Sequence, residues 1–205
     1  ADPEAGLWEA ADLQWWWRTP RSSDATDQHF WVDENGPVAA VVLTEWRHGW
    51  GCDPILVPGA SNVPLSTVVA RATQAILGLE AVEMLVRDDD VELQRLLVSA
   101  GFAADDGDRS GTTWMDAQDR PEVAALPEGF ALVDRTQPDA GVHPMRHRNG
   151  EQVETRLRQC PLYDPALDLA VETADGEVAG YSLYWFDPVT KVGLLEPMRV
   201  EDAYQ

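Results

Sequence analysis

A twelve-residue pattern occurs twice in this chain, at a separation the size of a domain. The copies are Val32–Leu43, VDENGPVAAVVL, and Glu172–Leu183, ETADGEVAGYSL, with Gly36 matching Gly176 at a distance of 140 residues. Each copy is an apolar run, a polar tip ending in Asn-Gly or Asp-Gly, and a second apolar run. Because such tips supply the positive φ of a tight turn, each copy predicts a β-hairpin. The period is too long for a solenoid unit, so the sequence predicts two copies of one fold.

The elements around the hairpins follow a shared order. A helix over Gly6–Arg18 precedes the first hairpin, and each hairpin is followed by a third strand, Pro54–Val57 or Val192–Val200. The second copy opens with a strand at Phe130–Val133 and a short helix at Glu151–Gln159. Apolar periodicity in the first copy predicts two helices and two strands after its third strand. These are the helices Pro64–Leu79 and Val91–Ala100 and the strands Val82–Val86 and Thr112–Met115.

A polar stretch with two prolines separates the copies and predicts a linker. We expect residues 1–117 to form the N-terminal lobe and residues 118–127 to form the linker. Residues 128–205 are then expected to form the N-terminal half of a second lobe.

The charge balance excludes some partners. A net charge of −21 repels phosphate backbones, so a nucleic-acid partner is not expected. The acidity can attract a cationic substrate such as an amine, or it can simply serve solubility. No apolar run is long enough to span a bilayer, and no signal-peptide pattern is present, so no membrane partner is expected. Cys52 and Cys160 stand far apart without clustered histidines, which predicts no metal site and fits a cytoplasmic protein.

Three segments resemble one enzyme family. The last predicted helix of the first copy closes with Leu96–Phe102, LLVSAGF, and the chain ends in Val200–Gln205, VEDAYQ. With the order of elements, these resemble the GNAT (GCN5-related) N-acetyltransferase family, in which a stretch like VEDAYQ precedes a glycine-containing cofactor loop. The segment Tyr163–Glu196 resembles the C-terminal lobe of tandem acetyltransferases from GC-rich bacteria.

The resemblance implies an α/β (α+β) fold with two acetyltransferase-like lobes. Each lobe would be a mixed, mostly antiparallel sheet flanked by helices, with the second lobe incomplete at Gln205. It also implies acetyl-CoA as co-substrate and acetyl transfer to a primary amine, carried by a small molecule or a peptide. A homodimer is left open. The rival interpretation is a non-catalytic binding or interaction module built on the same fold.

The cofactor loop distinguishes the two copies. In the family its backbone N–H groups cradle the pyrophosphate at a helix N-terminus, and glycine permits that close approach. The first copy reads GASNVPLS over Gly59–Ser66, without the family spacing, and Pro64 removes an N–H donor. We therefore expect a degenerate first lobe. In the second copy, the loop, a fifth strand and a tyrosine-bearing helix would follow Gln205, and a chain ending there is expected to be inactive.

The resemblance names candidate site residues on the last strand. Glu196 interrupts an apolar strand where family members carry the general base, and an apolar setting would raise its pKa. A solvent-facing or Arg-paired carboxylate is the equal alternative. Pro197 indicates the bulge expected in this strand. The backbone of Met198, Arg199 and Val200 would contact the pantetheine arm, unless these residues simply pair with another strand.

A second group lies where the family lines its acceptor site. It comprises His143, Arg146, His147 and Arg148, in a region broken by proline and glycine. We expect a solvated polar face for most of them. The two histidines are four residues apart and could share a helix face, but no third metal ligand is evident.

Overall fold

The computed structural model describes residues 7–16, 18–46, 49–57, 59–60, 62–105, 109, 111, 113–137 and 140–205. The chain forms two compact units. We call Pro20–Thr112 the first-sheet unit, and the described residues up to Thr19 together with Thr113–Gln205 the second-sheet unit. None of the helices in the described ranges has the length and apolar character that crossing a membrane requires.

The first-sheet unit holds a four-stranded sheet in the order β1-β2-β3-β4. The first three strands are antiparallel, and β4 joins β3 in parallel over two residue pairs. The bounds are β1 His29–Asp33, β2 Gly36–Trp46, β3 Gly49–Leu56, α2 Leu65–Ala75, β4 Val82–Glu83 and α3 Val91–Ser99.

The core of this unit lies between the sheet and α2. Val41 on β2 and Val68 on α2 are fully buried within it. The α3 helix packs on α2 through Leu93 and Leu97. Its first turn is capped by Asp90, whose carboxylate accepts a hydrogen bond from the Leu93 N–H at 3.0 Å.

The second-sheet unit holds a fully antiparallel sheet in the order β5-β6-β7-β8. Short helices precede β6, and a further helix comes from the N-terminal part of the chain. The bounds are α1 Ala10–Trp16, β5 Phe130–Asp134, α4 Arg146–Asn149, α5 Val153–Leu157, β6 Asp168–Thr173, β7 Val178–Phe186 and β8 Gly193–Val200.

The N-terminal helix α1 belongs to the second-sheet unit. Ala11 is only 3% exposed in a core shared with Leu183 and Trp185 of β7, and Trp15 packs against the same core. The Gln14 side chain accepts a hydrogen bond from the Leu162 N–H at 3.1 Å. The expected boundaries instead assigned this helix, with the rest of residues 1–117, to the first lobe. Residues four apart on α1 form an apolar stripe, which packs against this core.

The two repeated segments form the same hairpin. Both are antiparallel, which confirms the prediction. Each pairing shifts register just before the turn, between Trp31 and Val32 in one and between Val171 and Glu172 in the other. The turn glycines both have positive φ, +123° for Gly36 and +80° for Gly176. The bulges therefore recur with the same 140-residue offset as the sequence.

Three strand predictions need correction. The strand predicted over Val82–Val86 spans only Val82–Glu83. Residues 113–115 form no strand, and Trp114 and Met115 are exposed; Thr112 lies outside the described residues. The third strand of the first copy begins at Gly49 rather than at Pro54. Its extension is held by the Trp50 N–H, which donates to the Ala81 carbonyl at 3.0 Å. The sequence did not indicate a strand over 49–53 because glycine and aspartate, which occur in this stretch, are depleted in strands.

Candidate active site

The last strand of the second sheet contains a bulge. Pairing between β7 and β8 shifts register between Ser182 and Tyr184, so one residue of β7 faces two residues of β8. Those two are Glu196 and Pro197, so the bulge expected beside Pro197 is present. A bulge re-aims a side chain and interrupts the backbone ladder, and such irregularities are enriched beside active sites.

A tryptophan holds the backbone at this bulge. The indole N–H of Trp185 donates to the carbonyl oxygen of Glu196 at 2.8 Å. Trp185 is 3% exposed, and its ring meets that of Tyr163 edge-on at 6.2 Å. The bulge disrupts the regular backbone hydrogen bonding between β7 and β8. At this position the indole N–H of Trp185 gives the Glu196 carbonyl a hydrogen-bond donor. The position of Glu196 is thereby tied to a rigid core residue.

The Glu196 carboxylate is solvent-accessible, yet its pKa is raised. Partial burial is the main cause, and the negative charge of Asp12 on α1 adds to it. Within the described residues Glu196 forms no ion pair, so the Arg-paired alternative finds no support there. A raised pKa makes a carboxylate a stronger base, and access to solvent lets it exchange a proton with substrate or water.

Helix α1 contributes carboxylates that the sequence did not point to. Burial raises the pKa of Asp12, although its carboxylate accepts a hydrogen bond from the Glu9 N–H at 2.9 Å, which lowers it. Burial, Asp12 and Asp187 raise the pKa of Glu9. The negative charge of Asp12, which acts on Glu196, favours a cation over an anion near the bulge. The helix was predictable, but its packing on the second sheet was not.

Beyond the bulge, β8 has an open edge. It is the last strand of its sheet in the described part of the chain. The Glu201 N–H donates to the Ala179 carbonyl at 2.9 Å, and antiparallel pairing alternates inward and outward groups. The backbone of Arg199 therefore faces β7, whereas the polar groups of Met198 and Val200 face the open edge. Of the three predicted backbone contacts, two are placed to accept an added strand.

The two predicted histidines lie in different environments. His143 is 2% exposed, and its Nε2 is 2.8 Å from Asp168 Oδ2. Its Nδ1 accepts the Met145 N–H at 3.1 Å, so the hydrogen-bond pattern assigns the proton to Nε2. His147 is exposed. His143 is therefore the exception to the solvated face expected for most of this group, and its buried carboxylate partner was invisible in the sequence.

The two predicted arginines are engaged in ion pairs. Arg146 pairs with Glu151, and Arg148 pairs with Glu201 at 3.0 Å. The Arg148 guanidinium binds both carboxylate oxygens of Glu201, a geometry that fixes it in place.

Asp168 is the centre of a buried network that the sequence did not reveal. It is 3% exposed and accepts hydrogen bonds from His143 and from the Tyr163 hydroxyl, the latter at 2.8 Å. Burial, followed by the charge of Asp168, raises the pKa of Tyr163. The hydroxyl thus stays protonated and donates to the carboxylate. A single Asp opening a strand gave no signal for this role.

In the first-sheet unit, helix α2 starts directly after Pro64. The Pro64 carbonyl accepts the Thr67 N–H at 2.9 Å, and no side chain caps the helix. A proline at this position offers no N–H to a ligand. Residues 58 and 61 lie outside the described residues, so the glycine-poor loop over 59–66 remains a sequence observation.

Comparison with known proteins supports the fold. The structure is similar to the crystal structure of a GCN5-related N-acetyltransferase from Sphaerobacter thermophilus, with a TM-score of 0.52 and 16% sequence identity. The chain has the GNAT acetyltransferase fold. The match covers 90% of this chain and 65% of that one, so this chain spans less than two thirds of its neighbour's length. No family model and no curated protein matches the sequence.

Proposed function

We propose that the intact protein is an N-acetyltransferase that moves an acetyl group from acetyl-CoA to a primary amine. The observation that carries the proposal is the β8 bulge, which combines a solvent-accessible carboxylate with an open strand edge in a GNAT fold. Fold likeness alone would not suffice, because one fold serves many functions.

The open edge of β8 is the proposed cofactor-binding surface. Outward backbone groups of Met198 and Val200 would hydrogen-bond the pantetheine arm much as a neighbouring strand would. When bound, acetyl-CoA supplies an activated acetyl thioester. The backbone of Arg199 faces β7 and is therefore not proposed to contact the cofactor. Its side chain forms ion pairs with Glu201 at 3.3 Å and Asp202 at 2.9 Å.

Glu196 is the proposed general base. An alkyl amine is mostly protonated at neutral pH and must lose a proton before it can attack a thioester. Glu196 accepts that proton, directly or through water, and the Trp185 hydrogen bond keeps its backbone in place. The nearby Asp12 carboxylate of α1 favours the incoming ammonium group.

The repeat further supports a tandem protein with a degenerate first lobe. The two sheets share a hairpin with matching bulges, whereas only the second sheet has the interrupted third strand. We assign a structural role to the first lobe and the chemistry to the second. Cys52 and Cys160 are free and buried, in agreement with a reducing cytoplasm.

The rival proposal is a non-catalytic module of the same fold. It is favoured by the first-sheet unit, where Pro64 occupies the cap of the helix that would meet the cofactor. Under this proposal both lobes have lost the cofactor, and the chain would bind a partner without turnover.

A direct assay separates the two proposals. The intact protein is incubated with acetyl-CoA and a panel of primary amines comprising a short diamine, an amino acid and a peptide. Thiol release is followed, and the acetylated product is identified by mass. Catalysis of transfer to at least one amine supports the enzyme. Absence of acetyl-CoA binding, together with absence of transfer to any of them, supports the module.

A further inference from the structure

A polar cavity lies in the second-sheet unit, and its lining does not include Glu196 or Pro197 of the β8 bulge. Its volume is about 140 Å³, and about 10–15 Å³ of such space holds one water, so it has room for a small organic molecule. Its lining is made almost entirely of polar side chains and loop backbone. The residues are Arg135, Gln137, Ala140, Gly141, His143, Glu154, Arg158 and Tyr163.

Two arginines converge on this cavity. Both Arg135 and Arg158 act electrostatically on the Tyr163 hydroxyl, so their charges lie within reach of one point. The side chain of Arg135 is only 10% exposed, and its guanidinium donates to the carbonyls of Ala140 and Gly141. These neutral acceptors fix the guanidinium without neutralising it.

The negative groups nearby leave an excess of positive charge in the lining. Glu154 meets Arg135 at 3.5 Å, while Arg158 is exposed and has no ion-pair partner among the described residues. Two arginines and one glutamate give the described residues of the lining a net charge of +1. Asp168 lies behind the lining, and its carboxylate accepts hydrogen bonds from Tyr163 and His143.

We propose that this cavity binds a small carboxylate through Arg135 and Arg158. A guanidinium presents a planar pair of donors that matches a carboxylate. A monoanion fits better than a phosphate dianion, because Glu154 and Asp168 repel a second negative charge. In a chain with 36 acidic and 15 basic side chains, an arginine at a polar cavity that has no ion-pair partner among the described residues is placed for an external anion.

The test is a titration of the full chain, without acetyl-CoA, with propionate and its neutral isostere propionamide. Backbone amide NMR locates the site, and the amides of Ala140 and Gly141 should shift together and saturate. We expect propionate to bind and propionamide to bind at least about tenfold more weakly, since hydrogen bonds to charged groups are the stronger ones.

Matched arginine variants sharpen the test. Arg158→Gln should weaken propionate binding about tenfold or more, whereas Arg120→Gln, in an exposed part of the chain, should leave it unchanged. The Arg158 side chain forms no hydrogen bond or ion pair with the described residues, so its variant should keep its fold, which circular dichroism checks.

The outcomes decide the proposal independently of acetyl transfer. Equal binding of propionamide, absence of saturable shifts at the two loop amides, or an unchanged Arg158→Gln variant would overturn it. Including β-alanine distinguishes two sources of the carboxylate. Tighter binding of β-alanine than of propionate supports an amino acid whose ammonium meets Glu154, and the reverse order supports a simple acid.

Discussion

The third strands of the two sheets differ although the hairpins before them match. In the first sheet, β3 pairs with β2 over eight consecutive residues without a register shift. In the second sheet, β8 pairs with β7 over the corresponding length but carries one extra residue. Leu43 faces the single residue Cys52, whereas Leu183, at the matching position, faces Glu196 and Pro197.

The two residue types have opposite chemical consequences. Cys52 is fully buried, and burial raises its pKa to about 12, so the thiol stays protonated and unreactive. Glu196 is exposed at a bulge, where the negative charge of Asp12 on α1 helps to raise its pKa. One inserted residue therefore separates a strand that serves as core from a strand that presents the proposed base. The two sheets share a hairpin, and the proposed chemistry lies in the irregularity of β8.

Removing the bulge should have the largest effect on this comparison. Deletion of Pro197 lets β8 pair with β7 as regularly as β3 pairs with β2. We expect kcat/KM for acetyl-CoA to fall at least about 10²-fold, because misplacement by about 1 Å can cost that much. Steady-state kinetics on the intact protein measures this. The control is Pro54→Ala in the regular strand β3, which should change kcat/KM little; equal losses in both variants would contradict the comparison.

Removing the charge of Asp12 on α1 should have an intermediate effect on kcat. Asp12→Asn keeps an oxygen for the Glu9 N–H and removes a charge that raises the Glu196 pKa. The pKa of Glu196 should then fall, so the acid limb of the kcat–pH profile should move to lower pH. At neutral pH, kcat should change less than about fivefold, because a partly exposed charge interaction is worth about 1 kcal/mol or less.

The control for this prediction is Glu9, three residues before Asp12. Glu9→Gln removes a charge that does not act on Glu196 directly, so it should move the acid limb less than Asp12→Asn does. A profile that shifts to higher pH in Asp12→Asn would show that the carboxylates are not coupled as the structure indicates.

A substitution in the glycine-poor loop over 59–66 of the first lobe should have the smallest effect, here measured on acetyl-CoA binding. Ser66 is exposed in the first turn of α2, where a functional lobe would meet the pyrophosphate. Ser66→Ala should change the calorimetric Kd for acetyl-CoA less than about twofold, because Pro64 already removes the donor that such a site needs. A tenfold weaker Kd would place cofactor binding in the first lobe and reverse the comparison.

The sequence predicted the hairpins because their signal is local. Asn-Gly and Asp-Gly tips with flanking apolar runs determine turn, strand and facing residues within a dozen positions. Glu196 and Pro197 stood out for the same reason, as polar and proline residues in an apolar strand. The bulge then followed from the chemistry of proline.

Long-range packing was not predictable in this way. The apolar stripe on α1 predicted a helix, but it did not indicate which of the two similar sheets the helix would pack against. The Asp168 network joins residues from separate elements, 25 positions apart for His143 and 5 for Tyr163. Such contacts depend on the assembled unit, and a single sequence carries no pairing signal for them.

The most direct test of the account is the Glu196→Gln variant of the intact protein. Glutamine keeps the shape of the side chain and removes its basicity. General-base catalysis is worth about 10²–10⁴ in rate, so kcat at neutral pH should fall by about that factor while the Kd for acetyl-CoA changes little. The deficit should shrink at high pH, where free amine is abundant. A variant with near-wild-type kcat at neutral pH would contradict the assignment and make Glu196 a structural carboxylate.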